Sequence, residues 1–270
     1  TLRAERPIPG NSMQISNKAD AILSLSLISG RNPHTLIGQQ VISAPILKQT
    51  NLEIVSTGYM LIDSGEATTA SYMSNTTPIP HAKHNIATAT AIAGEMLGLK
   101  LIFLDGGSGA KQAISTKMIS SVSSQIDIPL IAAGGIVDGI GMASAIAAGA
   151  DGIQMGTRFV SSLESPVHNN FKDSIIDSPI DGTLVLNKKS KPVIRALKTD
   201  LTNKINEDGK MDMSALMNIK NLYFDGDMNA APALSGQSVG LISEIKPVKE
   251  IIEDTINEYN RVCLNLKPIT

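Results

Sequence analysis

From residue 20 to residue 156 short apolar runs alternate with longer stretches whose apolar residues recur at helical spacing. The runs DAILSLSLI (20–28), LEIVSTGYMLI (52–62), LKLIFLD (99–105), PLIAAG (129–134) and GIQMG (152–156) read as strands. The intervening stretches 33–50, 85–98, about 115–125 and 139–150 read as helices, the first kinked at Pro45. One helix between successive strands predicts parallel βαβ units with right-handed crossovers, in a (β/α) barrel or an open sheet. A stretch rich in Ser, Thr, Asn and Pro, 63–81, reads as a loop. After Gly156 the rhythm changes. Residues 164–177 read as a helix and 182–197 as a hairpin, followed by further helices. The last of these, 247–262, has Pro in its first turn. Lys188, Lys189 and Lys191 fall at the hairpin tip, where a solvated turn explains them better than an anion site.

Composition narrows the class without naming a function. At 270 residues the chain can form one large domain or two small ones. It is 42% hydrophobic but only 3% aromatic, with no Trp, so the core must rest on aliphatic side chains and Met. A formal charge of -2 gives no general attraction to nucleic acid or anionic lipid. One cysteine, Cys263, excludes an internal disulfide and fits a reducing, cytoplasmic setting. No run reaches the length of a membrane span, and the N-terminal stretch does not read as a signal peptide.

The chemistry gathers where strands end. Gly134 and Gly135 close one strand, and Gly156 with Thr157 closes the next. Glycines at a strand–helix junction let backbone N–H groups approach a ligand, and a helix start favours an anion, so the paired arrangement points to a phosphate. The competing reading is that these glycines only allow tight turns and close helix packing. Asp105 ends the third strand; it is either an acceptor for substrate hydroxyls or a turn or cap carboxylate, and Asp63 has the same ambiguity. His81 and His84 resemble half a metal site, but no third ligand stands at suitable spacing, so no metal site is expected. His34 and His168 have no recognisable catalytic partner in the sequence.

Two resemblances follow from longer stretches. PGNSMQISNKADAILSLSLISGRNPHTLIGQQ, TGYMLID, SNTTPIP and LGLKLIFLDGGSGA, within residues 8–132, resemble geranylgeranylglyceryl phosphate synthase and its heptaprenyl relatives. That resemblance implies a (β/α)8 barrel joining a polyprenyl diphosphate to sn-glycerol 1-phosphate, with Mg2+ on the diphosphate. It would give Asp105 the glycerol hydroxyls, with Gly107 and Ser108 shaping the adjacent loop. Phe103 stands where that family often has Tyr, which removes one polar contact. The family's strands 1 and 2, with their magnesium-binding Asp, have no counterpart in this reading.

Residues from about 128 to 264 instead resemble nitronate monooxygenase and the flavin-dependent enoyl-ACP reductase. The resemblance is carried by IPLIAAGGIVDGIGMASAIAAGADGIQMGTRFVSSLESPVHNNFKDSI, KPVIRAL and SGQSVGLISEIKPVKEII. It implies that Gly134, Gly135, Gly156 and Thr157 hold the phosphate of FMN. The catalytic His that this family keeps after strand 6 is replaced here by DGGSGA.

The expected fold is therefore α/β, an incomplete TIM-type (β/α)8 barrel of about five βα units with an α-rich C-terminal extension. Residues 1–132 would supply a synthase-like part and 133–270 a monooxygenase-like part of one joint domain. Open sheet edges would remain for a second copy of the chain to cover. Three functions follow: prenyl transfer to glycerol phosphate, FMN-dependent oxidoreduction, and binding of a small phosphorylated ligand without catalysis.

Overall fold

A computed structural model of the chain describes residues 19–65, 68–107, 110, 112–187, 194–209 and 211–266. Ser108 and the Lys188–Lys191 tip lie outside them. The described residues form two compact units, one holding those up to Gly65 with Ala70–Ala133 and Ala145–Gln154, the other holding Gly134–Ser144 and those from Met155 onward.

The first unit is built on five parallel strands paired in chain order: β1 (Ala21–Leu27), β2 (Glu53–Leu61), β3 (Leu101–Asp105), β4 (Leu130–Ala133) and β5 (Gly152–Gln154). Alternation decides which side chains share a face. Leu23, Leu25 and Leu27 of β1 join Tyr59 and Leu61 of β2, Leu101 and Phe103 of β3, and Ala133 in one buried cluster. The opposite face carries Met60, Ile102, Leu104 and Leu130, all fully buried. Helix α3 (His84–Met96) packs on β2 and β3 and on α4 (Thr116–Ser123). Its approach depends on glycine. A Cβ on Gly58 of β2 would lie 2.8 Å from Ile28 Cδ1 and 2.9 Å from Ile102 Cδ1, and Gly94 of α3 meets the same Ile28 at 2.9 Å. Ser115 starts α4 by accepting the Met118 N–H at 3.1 Å.

Among the described residues the sheet does not close: β1 pairs with β2 alone and β5 with β4 alone. The fold is thus α/β of TIM-barrel type with five βα strands. Two local expectations need correction. The 63–81 loop contains a short helix, α2 (Thr69–Met73). The helix expected over 33–50 opens as a wide π turn (His34–Gly38) before α1 (Gln39–Leu47), which contains Pro45.

The second unit contains α6 (Thr157–Val160), α7 (Asn169–Ile176), an antiparallel hairpin of β6 (Thr183–Leu186) and β7 (Ile194–Leu197), α8 (Asp200–Asp208) and α9 (Val248–Asn265). Helix α5 (Gly139–Ala147) begins here. Phe171, Ile175, Leu197, Leu222, Ala231, Ala233, Val239 and Ile242 form its main core. The expected helix over 164–177 is shortened because Pro166 resists helical entry and His168 is the N-cap, its Nδ1 accepting the Asn170 N–H at 3.1 Å. His168 is therefore a cap, not a residue of the outer helix face. Glu164, outside α7, instead caps α9: its carboxylate oxygens accept the Val248 N–H at 2.9 and 3.0 Å. Thr199 closes a capping box at α8, and Gly209 ends that helix at φ 69°.

Helix α9 crosses the start of α5 at Gly139, where a Cβ would lie 2.4 Å from Tyr259 N and 2.5 Å from Thr255 O. Backbone cannot move aside as a flexible side chain can. Gly139→Ala is expected to cost about 1–3 kcal/mol of stability and to expose α9 to trypsin. Urea unfolding with limited proteolysis checks this; a wild-type midpoint and digestion rate would contradict it.

Candidate phosphate-binding site

The phosphate-type loops both lie in the second unit. The chain leaves β4 through Gly134 and Gly135, with φ of 102° and 78°. Two successive positive φ values favour glycine over any residue with a side chain. A Cβ added to Gly134, Gly135 or Gly156 would meet nothing within 4 Å. These glycines are not needed for close packing within the protein. They border open space, which favours the ligand reading over the packing reading.

Thr157 follows Gly156 as the first residue of α6 and is buried. Its Oγ1 accepts the Gly236 N–H at 2.9 Å, so its own proton remains free to be donated. The start of α5 contributes less than the sequence suggested. Asp138 Oδ1 accepts the Gly141 N–H and Glu258 Oε2 accepts the Gly139 N–H, both at 2.8 Å. Two protein carboxylates already occupy that helix start, so an anion must rely on the glycine backbone and hydroxyls. Arg158 is also committed elsewhere: Nη1 donates to Ser161 Oγ at 3.1 Å and to the Glu244 carbonyl at 3.2 Å. Burial lowers its pKa, opposed by the nearby carboxylates of Glu244 and Asp254.

In the first unit Asp105 ends β3 half-buried, with both oxygens engaged. Oδ1 accepts the Gly107 N–H at 2.8 Å and Oδ2 accepts the Tyr59 hydroxyl at 2.7 Å. Asp105 therefore does not cap a helix; it holds the turn at Gly107, whose φ is 80°. A carboxylate offers about four lone-pair positions, so room remains for a ligand hydroxyl. Tyr59 sits opposite Phe103 across the β2–β3 pairing, the rings edge to face at 5.4 Å. Tyr59 thus reaches Asp105 from the neighbouring strand, while Phe103 offers no polar group of its own. Asp63 Oδ1 accepts the Gly65 N–H at 2.9 Å and serves its own turn, while Ser64 Oγ ties that loop to the Gly106 carbonyl at 3.0 Å. His81 lies 3.3 Å from the Ala113 carbonyl. Among the described residues no three His, Cys, Asp or Glu side chains gather as a metal-ligand group.

The comparisons with known proteins divide along the chain. The PcrB family matches residues 7–174 and the nitronate monooxygenase family matches residues 103–258. The chain belongs to both families. Both matches include residues 103–174, which carry the two glycine loops, so the shared stretch is wider than IDIPLIAAGG (126–135), where the two resemblances overlap. The geranylgeranylglyceryl phosphate synthase of Spirosoma linguale is 55% identical over 148 residues, covering 55% of this chain and 59% of that protein. The Chitinophaga pinensis synthase is 52% identical over 166 residues, covering 59% and 66%. The chain thus spans about three fifths of the length of these relatives. Among solved structures, FabK from Thermotoga maritima aligns over 92% of this chain and 70% of its own, with TM-score 0.62 and 28% identity. Geranylgeranylglyceryl phosphate synthase from Thermoplasma acidophilum, solved with sn-glycerol-1-phosphate, aligns over 58% and 63%, with TM-score 0.52 and 30% identity. Among the described residues no helix is long and apolar enough to cross a membrane.

The Tyr59–Asp105 pair gives a pH signature. Burial, then the Asp105 charge, then the hydrogen bond raise the Tyr59 pKa well above its ordinary 10.0. The folded state therefore holds this proton longer than the unfolded chain. Its stabilisation is complete below pH 10.0 and is lost as pH rises through the folded value. Urea midpoints measured between about pH 9 and 11 should fall more steeply for the wild type than for Tyr59→Phe; equal slopes would remove Tyr59 from this role.

Proposed function

We propose that the second unit binds a phosphate monoester at Gly134, Gly135, Gly156 and Thr157, and that the chain is a glyceryl phosphate prenyltransferase-type protein. Its acceptor is sn-glycerol 1-phosphate and its donor a polyprenyl diphosphate. The observation that carries the phosphate reading is the open space in front of Gly134, Gly135 and Gly156. The assignment to prenyl transfer rests on the synthase relatives, more than half identical over 148 and 166 residues, and on the PcrB match over 7–174, which includes Tyr59 and Asp105. On this reading residues 1–132 are the synthase-type part and 133–270 the monooxygenase-type part. Asp105 is the acceptor for substrate hydroxyls, its Oδ2 oriented by Tyr59 and its Oδ1 by the turn at Gly107.

The residues fit a phosphate better than they fit magnesium. Asp105 already accepts two hydrogen bonds, and no further carboxylate joins it in a metal-ligand group among the described residues. No step is assigned to Mg2+ for that reason. The reaction would join a prenyl carbon to a glycerol oxygen as the diphosphate departs, and the hydroxyl proton must leave. Asp105, bonded to that hydroxyl, is the group here able to orient the proton.

A second reading is favoured by the FabK alignment, which extends over most of the chain. FMN, when bound, would supply electron transfer at its flavin ring. The glycine loops would hold its phosphate by the same donors, and the Thr157 hydroxyl would donate to it. Nitroalkane chemistry also needs a base within hydrogen-bonding reach of the carbon acid. None of the four His follows β3, where the sequence reads DGGSGA.

Binding of sn-glycerol 1-phosphate and of FMN, each measured by titration, separates the two readings. Gly135→Asp places a carboxylate in the open space and should weaken the bound ligand at least tenfold through like-charge repulsion. Undiminished affinity in the folded variant would refute the phosphate site. With FMN in excess, a nitronate should not reduce the flavin faster than a control without protein; faster reduction would make the flavin enzyme the better reading.

A further inference from the structure

Among the described residues, the second unit holds one buried hydroxyl whose hydrogen-bonding capacity the fold leaves unused. Ser235 is 7% exposed, and its Oγ has no hydrogen-bond partner. An unpaired buried hydroxyl is costly and uncommon in folded proteins, so it calls for a cause. The backbone around it is fixed on both sides. Leu234 bridges Ala196 of β7, the Ser235 N–H donates to the Arg195 carbonyl at 3.3 Å, and the Leu197 N–H donates to the Ala233 carbonyl at 2.8 Å. Directly after Ser235, the Gly236 N–H donates to Thr157 Oγ1 at 2.9 Å. Ser235 therefore cannot drift away from the Gly156–Thr157 loop.

Covalent geometry bounds the distance. The Gly236 nitrogen is one peptide link from the Ser235 Cα, so that Cα lies within roughly 5 Å of Thr157 Oγ1. A phosphate that accepts from Thr157 has further oxygens about 2.5 Å from the first, within reach of a serine hydroxyl at that position. Gly236 also needs its lack of side chain here, since a Cβ would stand 3.1 Å from Thr157 Oγ1.

We propose that Ser235 is a further phosphate-binding residue, its hydroxyl donating to a non-bridging oxygen of the phosphate monoester held by Gly134, Gly135, Gly156 and Thr157. Residues 233–236 then form a third wall of the site. The inference rests on the phosphate reading above and adds a donor from a segment far away in sequence. It concerns the chemistry shared by FMN and sn-glycerol 1-phosphate, a dianionic phosphate on a primary alcohol.

The test uses the full chain as wild type, Ser235→Ala and Gly135→Asp. Each is titrated with FMN, with riboflavin, which lacks the phosphate, and with sn-glycerol 1-phosphate. Ser235→Ala should weaken whichever phosphate ester binds by roughly tenfold, the usual loss of one hydrogen bond to a charged group. Riboflavin binding should be unchanged. The melting temperature without ligand should stay level or rise, because an unpaired hydroxyl is gone. Loss of FMN affinity identifies the flavin phosphate as the source, and loss of glycerol phosphate affinity identifies the smaller ester. Wild-type affinity in Ser235→Ala, alongside loss in Gly135→Asp, would overturn the role of Ser235 and leave the phosphate site standing. No loss in either variant, or no binding by the wild type, would overturn both. A lower ligand-free melting temperature in Ser235→Ala, matching its loss of affinity, would make Ser235 a structural residue and refute the proposal.

Discussion

Parallel pairing in register is the constraint from which the rest of the first unit follows. Leu61 is level with Asp105, Asp105 with Ala133, and Ala133 with Gln154, so four strands end at one edge of the sheet. Asp105 and the two glycine loops come at three of those ends. Asp105 sits at the last paired position of β3, the Gly134–Gly135 turn leaves directly from β4, and Gly156 comes two residues after β5. A shift of β3 by one residue against its neighbours would turn Asp105 to the other face, among fully buried Ile102 and Leu104. Burial on both faces makes such a shift costly, and so the strand cores determine where the chemistry is placed.

What the sequence revealed and what it concealed divide by distance along the chain. Strand positions were legible because each is a short, mostly apolar run bounded by turn-forming residues, and all five appear within a few residues of the expected bounds. The glycine loops were legible because they are local. Asp105 could be seen, but not its partner: Tyr59 lies 46 residues earlier and meets it only through the β2–β3 pairing. A tyrosine aligned with Phe103 on an adjacent parallel strand was the available signal, and using it required the register. Glu258 lies 119 residues from Gly139, and Gly236 lies 79 from Thr157. No spacing rule reaches across such gaps. The shortening of α7 was readable in principle, since Pro166 and His168 stand inside the stretch assigned to it.

The electrostatics of the second unit are unusual for a phosphate reading, because the obvious cation is already committed. Arg158 adjoins Thr157 in sequence, yet its guanidinium bonds Ser161 and the Glu244 carbonyl, with the Glu244 and Asp254 carboxylates near enough to influence its charge. Those same carboxylates also pair with Lys246 at 2.5 and 2.7 Å. This network ties the 244–254 segment to α6 and leaves the anion to neutral donors. Oriented backbone N–H groups and hydroxyls can hold a phosphate by such means, without a side-chain cation. They also recognise the phosphate group with little regard to what it is attached to.

On the phosphate reading, that indifference lets one chain match two families whose ligands differ. The synthase and monooxygenase matches both include the segment from β3 through the two glycine loops. What this segment demands is local: a buried strand, two glycines at positive φ, a helix, another strand and a further glycine. Any sequence meeting those demands can continue the sheet. The features that distinguish the two families lie outside the segment or on single side chains within it, such as Asp105 or a histidine in its loop. The stretch that both families match therefore keeps strand pairing and the glycine loops. It need not keep either reaction, because catalysis also depends on side chains outside that stretch, whereas on the phosphate reading backbone recognition would depend on the glycine loops alone.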